Sequence, residues 1–383
     1  MTSNPNRTPN IPPASARAAL DRMTPYTPGK PIWEVKSEYG LDRIVKLASN
    51  ENPLGPSPKA LEAIREMLPE LHRYPDDRAR LLVRTLAKRY GLPEGCFLAT
   101  NGGDEFIKLL SEAYLEPGDE VIVPTPTFSE YEFGAILMDA NIVGVPLRDG
   151  CLYSADDLLA RVGPRTKLVY VCTPNNPTGT YLAKTELRRL VEGLPSGVLV
   201  AIDAAYSHYA SADDYTDGME LIAEGFPVVV LHTFSKIFGL AGIRVGFGAA
   251  PEAVVASILR VKEPFNVNAL AQAAALAALD DEEHMEASRA LNERGRRQLY
   301  EGLAKLSIAC VPSMSNFVLA EIGESAPLVY EQLLKRGVIV RPGRGWGLPR
   351  CLRISVGTEE ENAILLEQLA VISIINGGIF NDL

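Results

Sequence analysis

Over most of the chain, short apolar runs alternate with segments whose apolar residues recur every three or four positions. The runs are Cys96–Ala99, Glu120–Val123, Leu168–Val171, Val198–Ile202 and Val228–Leu231. Short continuous apolar runs of this kind read as strands buried on both faces. Helices are expected over Glu105–Tyr114, Ser129–Asp139, Thr185–Glu192 and Pro251–Val261. Upstream, Leu61, Ile64 and Leu68 share a helical face after Pro58, and Leu81, Leu82 and Leu86 mark a second helix ending near Gly91. Pro75, within Arg73-Tyr-Pro-Asp76, keeps the link between those helices out of helical geometry. Strands alternating with helices predict an α/β fold, with a mostly parallel sheet covered on both faces.

The texture changes after Pro264-Phe-Asn-Val-Asn268. An alanine-rich helix (Ala269–Leu279) leads into a charged one (Glu283–Leu306), and then come apolar runs at Phe317–Ala320, Gly337–Arg341 and Cys351–Ser355. This pattern predicts a smaller α+β domain at the C-terminal end. The expected organisation is a flexible arm over 1–20, a segment over 21–55 joining the small domain, a large domain over 56–264 and a small domain over 265–383. A length of 383 residues suits two domains.

Composition narrows the function classes. Hydrophobic and charged fractions of 46% and 22% are those of a soluble globular protein. A formal charge of −10 argues against nucleic acid or an anionic membrane as partner, since both need basic surfaces. It leaves room for a local basic pocket. No apolar stretch is long enough for a bilayer, and the polar start, Met1–Asn10, lacks the apolar core of a signal peptide. Five scattered cysteines without a CxxC read as reduced packing residues of a cytoplasmic protein, with no metal site expected.

In open parallel sheets, ligands bind at the carboxyl ends of the strands, so the residues following each run carry the chemistry. After Ala99, Gly102 and Gly103 open a strand-to-helix turn whose free amides suit a phosphate. After Val123 stands Phe128, which can stack on a flat ring or pack at a strand end. After Val171, a rigid turn-rich loop presents the amide of Asn176. After Ile202 comes Asp203, with Tyr206 three positions on. A carboxylate at the end of a buried strand needs a partner, and a protonated pyridine nitrogen is one; a helix N-cap is the other use of such an aspartate. After Leu231 come Thr233, Ser235 and Lys236, then Arg244. A partly desolvated lysine amine loses its proton readily and forms a Schiff base with an aldehyde, and an arginine offers a fork for a phosphate. A phosphate cradle, a stacking ring, an amide, a carboxylate and an amine together describe a site for pyridoxal 5′-phosphate. Further on, Arg353 points away from the face shared by Leu352 and Ile354, so it needs an anion. A substrate carboxylate or a structural salt bridge would serve.

These segments resemble the fold-type I pyridoxal-phosphate aminotransferases, and within them the histidinol-phosphate aminotransferase family. The resemblance is carried by Leu47–Pro56, Arg73–Asp76, Asn101–Glu105, Thr173–Gly179, Thr233–Gly246 and Gly345–Thr358, in the family's order. It implies that Lys236 holds the cofactor and moves a proton at the substrate α-carbon. Asp203 would pair with the pyridine nitrogen, and Asn176 and Tyr206 would hydrogen-bond the ring hydroxyl. Phe128 would stack on the ring, where the family often has tyrosine. Gly103, Asp104, Ser235 and Arg244 would hold the phosphate, with Tyr74 reaching it from the other subunit of a homodimer. Arg353 would bind the α-carboxylate of glutamate, and Arg341 and Tyr26 the phosphate of the substrate. The implied reaction passes the amino group of L-histidinol phosphate to 2-oxoglutarate in a ping-pong cycle.

Some positions depart from the family pattern. Asp203-Ala-Ala-Tyr206 lacks the glutamate often found after the aspartate, Gly103 replaces a frequent serine, and His208 reads as structural. An aromatic aminotransferase acting on phenylalanine or tyrosine shares the whole scaffold, and a threonine-phosphate decarboxylase resembles it too. A dinucleotide-binding protein would need a G-x-G-x-x-G turn after an early strand, and none stands in that context.

Overall fold

A computed structural model of the chain describes residues 15–23 and 29–376. Among the described residues, thirteen strands form three sheets. β1 (Val45–Lys46) comes first. The main sheet contains β2 (Phe97–Thr100), β3 (Glu120–Thr125), β4 (Asn141–Pro146), β5 (Thr166–Cys172), β6 (Leu199–Asp203), β7 (Val228–Thr233) and β8 (Gly246–Ala249). Its spatial order is β2-β8-β7-β6-β5-β3-β4. Only β8 runs against its neighbours, pairing antiparallel with both β2 and β7. The carboxyl ends of β2, β3, β5, β6 and β7 therefore share one edge, and the chemistry read from the sequence collects there.

Each of the five apolar runs expected as strands before residue 264 lies in this sheet. Two of its strands carry no such run. β4 is an edge strand with mostly solvent-facing residues, so its pattern is not apolar. β8 has only the sequence Gly-Phe-Gly-Ala. Gly248 on β8 has no side chain because the Phe106 ring fills the space a Cβ would take. Phe106 lies on the inner face of the helix Gly103–Tyr114 and is fully buried. Helices cover both faces, giving two apolar layers on either side of the sheet.

The second unit is a four-stranded antiparallel sheet, β12-β13-β10-β9. It comprises β9 (Ala309–Val311), β10 (Phe317–Glu321), β12 (Arg341–Pro342) and β13 (Cys351–Ser355). The single strand expected over Gly337–Arg341 is two. β11 (Val338–Ile339) pairs in parallel with β1, while β12 turns to pair with β13, so the chain changes sheets at Val340. Its core takes Val318 and Ala320 from β10, and Leu352 and Ile354 from β13. The helix Glu359–Ile375, which the pattern leaves unassigned, closes that core with Leu365, Leu369 and Ile372. Thr358 and Glu361 start it with a reciprocal capping box.

Chain order and packing divide at different points. The helix Ala269–Leu279 lies beyond the boundary expected at 265, yet buries Ala271, Ala274, Ala275 and Ala278 in the core of the main sheet. Across the end of the stretch expected as an arm, Ala18–Arg22 forms a 3-10 turn, and Arg22, just beyond it, meets Asp139 at 2.5 Å. Among the described residues, no helix is long and apolar enough to cross a membrane.

Candidate active site

A cleft with about 970 Å³ of empty space, partly open to solvent, lies at the carboxyl edge of the main sheet and against the small one. Gly103, Asp104, Phe128, Asn176, Asp203, Tyr206, Thr233, Ser235, Lys236, Arg244, Arg341 and Arg353 all line it. Residues read from five strand ends and from the C-terminal sheet thus meet in one place. Gly102 lies immediately behind Gly103. Tyr74 is 83% exposed, stacks on Phe265 and is not among the lining residues. Tyr26 falls outside the described residues.

Asp203 ends β6 and is 6% exposed. Its Oδ2 accepts a hydrogen bond from the Tyr131 hydroxyl at 2.6 Å, and its Oδ1 accepts from the Ala205 amide at 3.0 Å. Burial pushes the carboxyl pKa up, while these two donors oppose the shift. Asp203 is not the N-cap of a regular helix. A cation at its cleft side would relieve the cost of burying it.

Lys236 follows β7 and is partly buried. Its Nζ donates to the Ser49 carbonyl at 3.3 Å and lies 5.6 Å from the centre of the Tyr206 ring. Burial first, and then the positive charge of Arg353, lower its pKa to about 8. About a tenth of the amine is therefore unprotonated at pH 7, far more than for an ordinary lysine, as a nucleophile requires.

A phosphate-sized corner lies beside it. Gly102 has φ +86°, a backbone conformation that favours glycine, and a Cβ there would stand 2.5 Å from Arg244 Nη2, so any side chain would displace the guanidinium. The helix Gly103–Tyr114 begins at this point, and its first amides lack intrahelical partners. Arg244 Nη2 reaches Asp104 at 3.3 Å. Thr233 Oγ1 donates to Ser235 Oγ and accepts from the Ser235 amide, which fixes both hydroxyls at the turn.

Across the cleft, Arg353 is 5% exposed. Its Nη1 donates to Asn176 Oδ1 at 2.5 Å and its Nη2 to the Ala48 carbonyl at 2.6 Å. With its oxygen taken, Asn176 presents its NH₂ to the cleft. The Tyr206 hydroxyl accepts from Asn50 Nδ2 at 2.9 Å, which leaves its own proton to donate. Asn50 has φ +56° and is tied to Ser355 on β13 by two hydrogen bonds. It thus links the small sheet to Tyr206. Reading the sequence assigned no role to Asn50, although it stands inside the segment Leu47–Pro56; asparagine's tolerance of left-handed backbone is its only local signal. Tyr131 and Trp346 were also unassigned. Trp346 lies 4.9 Å from the Arg353 guanidinium and 5.8 Å from that of Arg341.

His208 is packed edge-on against Phe238 and His232, and burial lowers its pKa to about 3, in keeping with a structural role. All five cysteines are free; Cys172 lines the cleft, and burial pushes its thiol up.

The donor set fits pyridoxal phosphate. A buried carboxylate awaits a cation, a partly deprotonated amine awaits an aldehyde, and an amide-rich corner stands beside an arginine.

Comparison with known proteins agrees. The model for "Aminotransferase class I and II" matches residues 42–369. The histidinol-phosphate aminotransferase of Symbiobacterium thermophilum is 45% identical over 93% of this chain and 98% of its own length. That of Moorella thermoacetica is 44% identical over 92% of each. The crystal structure of histidinol-phosphate aminotransferase from Sinorhizobium meliloti, in complex with pyridoxal-5′-phosphate, superposes with a TM-score of 0.82 at 25% identity, covering 93% of this chain and 99% of that one. With its lysine, aspartate and phosphate corner in one cleft, the chain belongs to the pyridoxal-phosphate-dependent class I and II aminotransferases, and within them to the histidinol-phosphate aminotransferase family.

Proposed function

We propose that the protein transfers the amino group of L-histidinol phosphate to 2-oxoglutarate, giving imidazole acetol phosphate and L-glutamate. The observation that carries this reading is the meeting of Lys236 with two arginines, Arg341 and Arg353, in one cleft. An amine for chemistry and two anion-binding forks suit a donor with a phosphate and an acceptor with carboxylates.

Bound pyridoxal phosphate supplies an aldehyde that captures amines and a ring that withdraws electrons. Lys236 Nζ would hold the group and, once the substrate amine has displaced it as a free amine, would take the α-proton of the substrate, for which its lowered pKa suits it. Asp203 would keep a proton on the ring nitrogen. Asn176 and Tyr206 would donate to the ring hydroxyl, and Phe128 would cover one ring face. The amides after Gly102 and Gly103, with Asp104, Thr233, Ser235 and Arg244, hold the phosphate. Arg353 binds the carboxylate of glutamate or 2-oxoglutarate, and Arg341 binds the substrate phosphate, a role the family resemblance also gives Tyr26. Both partners use the same cleft in turn, which makes the cycle ping-pong.

Tyr74 reaches the phosphate corner of a second subunit. In support, Tyr74, Leu71, Leu81 and Phe265 are all exposed, an apolar set that a homodimer would cover. Sedimentation at micromolar concentration checks this, with a dimer as the expected result. Free thiols throughout the chain support a cytoplasmic enzyme.

The test is kcat/KM for L-histidinol phosphate against L-phenylalanine, with 2-oxoglutarate as acceptor. A preference of at least about a hundredfold for the phosphorylated donor is expected, because an arginine left without its anion rejects the analogue. Equal or reversed values would favour an aromatic aminotransferase. Release of carbon dioxide without keto-acid turnover would make it a decarboxylase.

A further inference from the structure

Tyr131 stands behind the cleft wall, touching two residues of the candidate machinery at once. It lies in the first turn of the helix Glu130–Leu137 and is completely buried. Its hydroxyl donates to Asp203 Oδ2 at 2.6 Å. Its ring meets Phe128 edge-on, with centroids 5.7 Å apart. On its other side it stacks on Tyr170 at 4.4 Å, with the rings 12° from parallel. No other side chain donates to the Asp203 carboxylate among the described residues; its second donor is the Ala205 amide.

We propose that Tyr131 is a positioning residue, setting the orientation and charge of Asp203 while bracing the ring of Phe128. This rests on the reading of Asp203 as partner of the cofactor nitrogen and Phe128 as its stacking ring. The physical reasoning is direct. A hydrogen bond to a carboxylate favours its charged form. In a buried site of low dielectric, such a bond is stronger than on the surface. Burial alone would push Asp203 towards its neutral form, and a neutral carboxyl does not hold a proton on a pyridine nitrogen. The Tyr131 phenol itself stays protonated, because burial and the Asp203 charge both raise its pKa. It is a permanent donor across the working pH range. Without it, Asp203 becomes more basic and freer to turn, and the proton it shares with the ring moves towards the carboxylate. The ring then withdraws electrons less strongly.

The experiment compares Tyr131→Phe with Tyr170→Phe. Each removes one buried phenolic oxygen and no carbon, and only the first touches Asp203. Affinity of the apoprotein for pyridoxal phosphate is measured by absorbance titration. The visible spectrum of the loaded protein is followed against pH, and kcat and KM are determined for both substrates. For Tyr131→Phe, cofactor affinity and kcat are each expected to fall about tenfold, the scale of one hydrogen bond to a charged group. The pH dependence of the spectrum should shift, while both KM values stay within about twofold, since the change spares Arg341 and Arg353. Tyr170→Phe should leave the spectrum and its pH profile unchanged. Equal losses in both variants, or a wild-type pH profile in Tyr131→Phe, would overturn the proposal while leaving the cofactor site intact. Wild-type protein that takes up no pyridoxal phosphate would overturn the reading beneath it as well.

Discussion

Arg341 and Arg353 are direct register partners on the antiparallel strands β12 and β13. Opposed residues share a face, and like charges placed opposite one another repel. Both guanidiniums face the cleft, where Trp346 offers its ring to each. An aromatic face attracts a cation and partly offsets the repulsion. The pair is thus held ready for two anions in one cleft.

Trp346→Ala should therefore raise KM for both 2-oxoglutarate and histidinol phosphate by roughly three- to thirtyfold, the scale of one or two cation–π contacts. The kcat should change less than KM, because the ring touches neither Lys236 nor Asp203. Steady-state kinetics with each substrate varied in turn check this, and Trp346→Phe should recover most of the loss.

Lys236 makes both stability and cofactor uptake depend on pH. With a pKa of about 8 folded against an ordinary 10.5, it binds fewer protons folded than unfolded between those values. Stability of the apoprotein then rises with pH across that window, and the penalty is complete below it. Lys236→Met should raise the apoprotein melting temperature at pH 7, with the gain shrinking as pH rises from 8 towards 10.5. In wild-type protein, the rate of pyridoxal-phosphate capture should climb with pH and level off above about 8. Calorimetry and stopped-flow absorbance measure the two effects.

Much of this architecture was legible in the sequence, for identifiable reasons. β3, β5, β6 and β7 are buried on both faces, so their apolar runs are unbroken. The residues after those runs must gather at one edge because the strands are parallel, and that placed Asp203 and Lys236 together. The edge strand β4 and the glycine-rich β8 lacked that signal. The polar contacts of Asn50 and Tyr131 join residues far apart in sequence, so only folding reveals them. Tyr131 and Asp203 are separated by 72 positions, and Asn50 and Ser355 by 305.

Gly102 allows little variation. Gly102→Ala places a methyl group against Arg244 and forces a left-handed backbone on alanine, at a cost of about 1–3 kcal/mol in stability. Arg244 must move away from the phosphate corner, so affinity for pyridoxal phosphate should fall at least about tenfold, the loss of one charge-assisted contact. Denaturant unfolding and cofactor titration separate the two effects.

Asn50→Asp tests the link from the small sheet to Tyr206. It keeps the size of the side chain and its tolerance of φ +56°, but turns a donor into an acceptor. The Tyr206 hydroxyl would then donate backwards, away from the cleft. A fall in kcat of about tenfold is expected, matching one misdirected hydrogen bond in the site, with a shifted absorbance of the bound cofactor. An unaltered spectrum would mean that Tyr206 does not depend on Asn50.

The central claim concerns Lys236 and the two arginines acting in one cycle. It is tested most directly by the absorbance spectrum of pyridoxal-phosphate-loaded protein, taken before and after L-histidinol phosphate and again after 2-oxoglutarate. The expected result is a visible band, absent in Lys236→Ala, that histidinol phosphate bleaches and 2-oxoglutarate restores. A band that responds only to phenylalanine or tyrosine, or wild-type protein with no band dependent on Lys236, would contradict it.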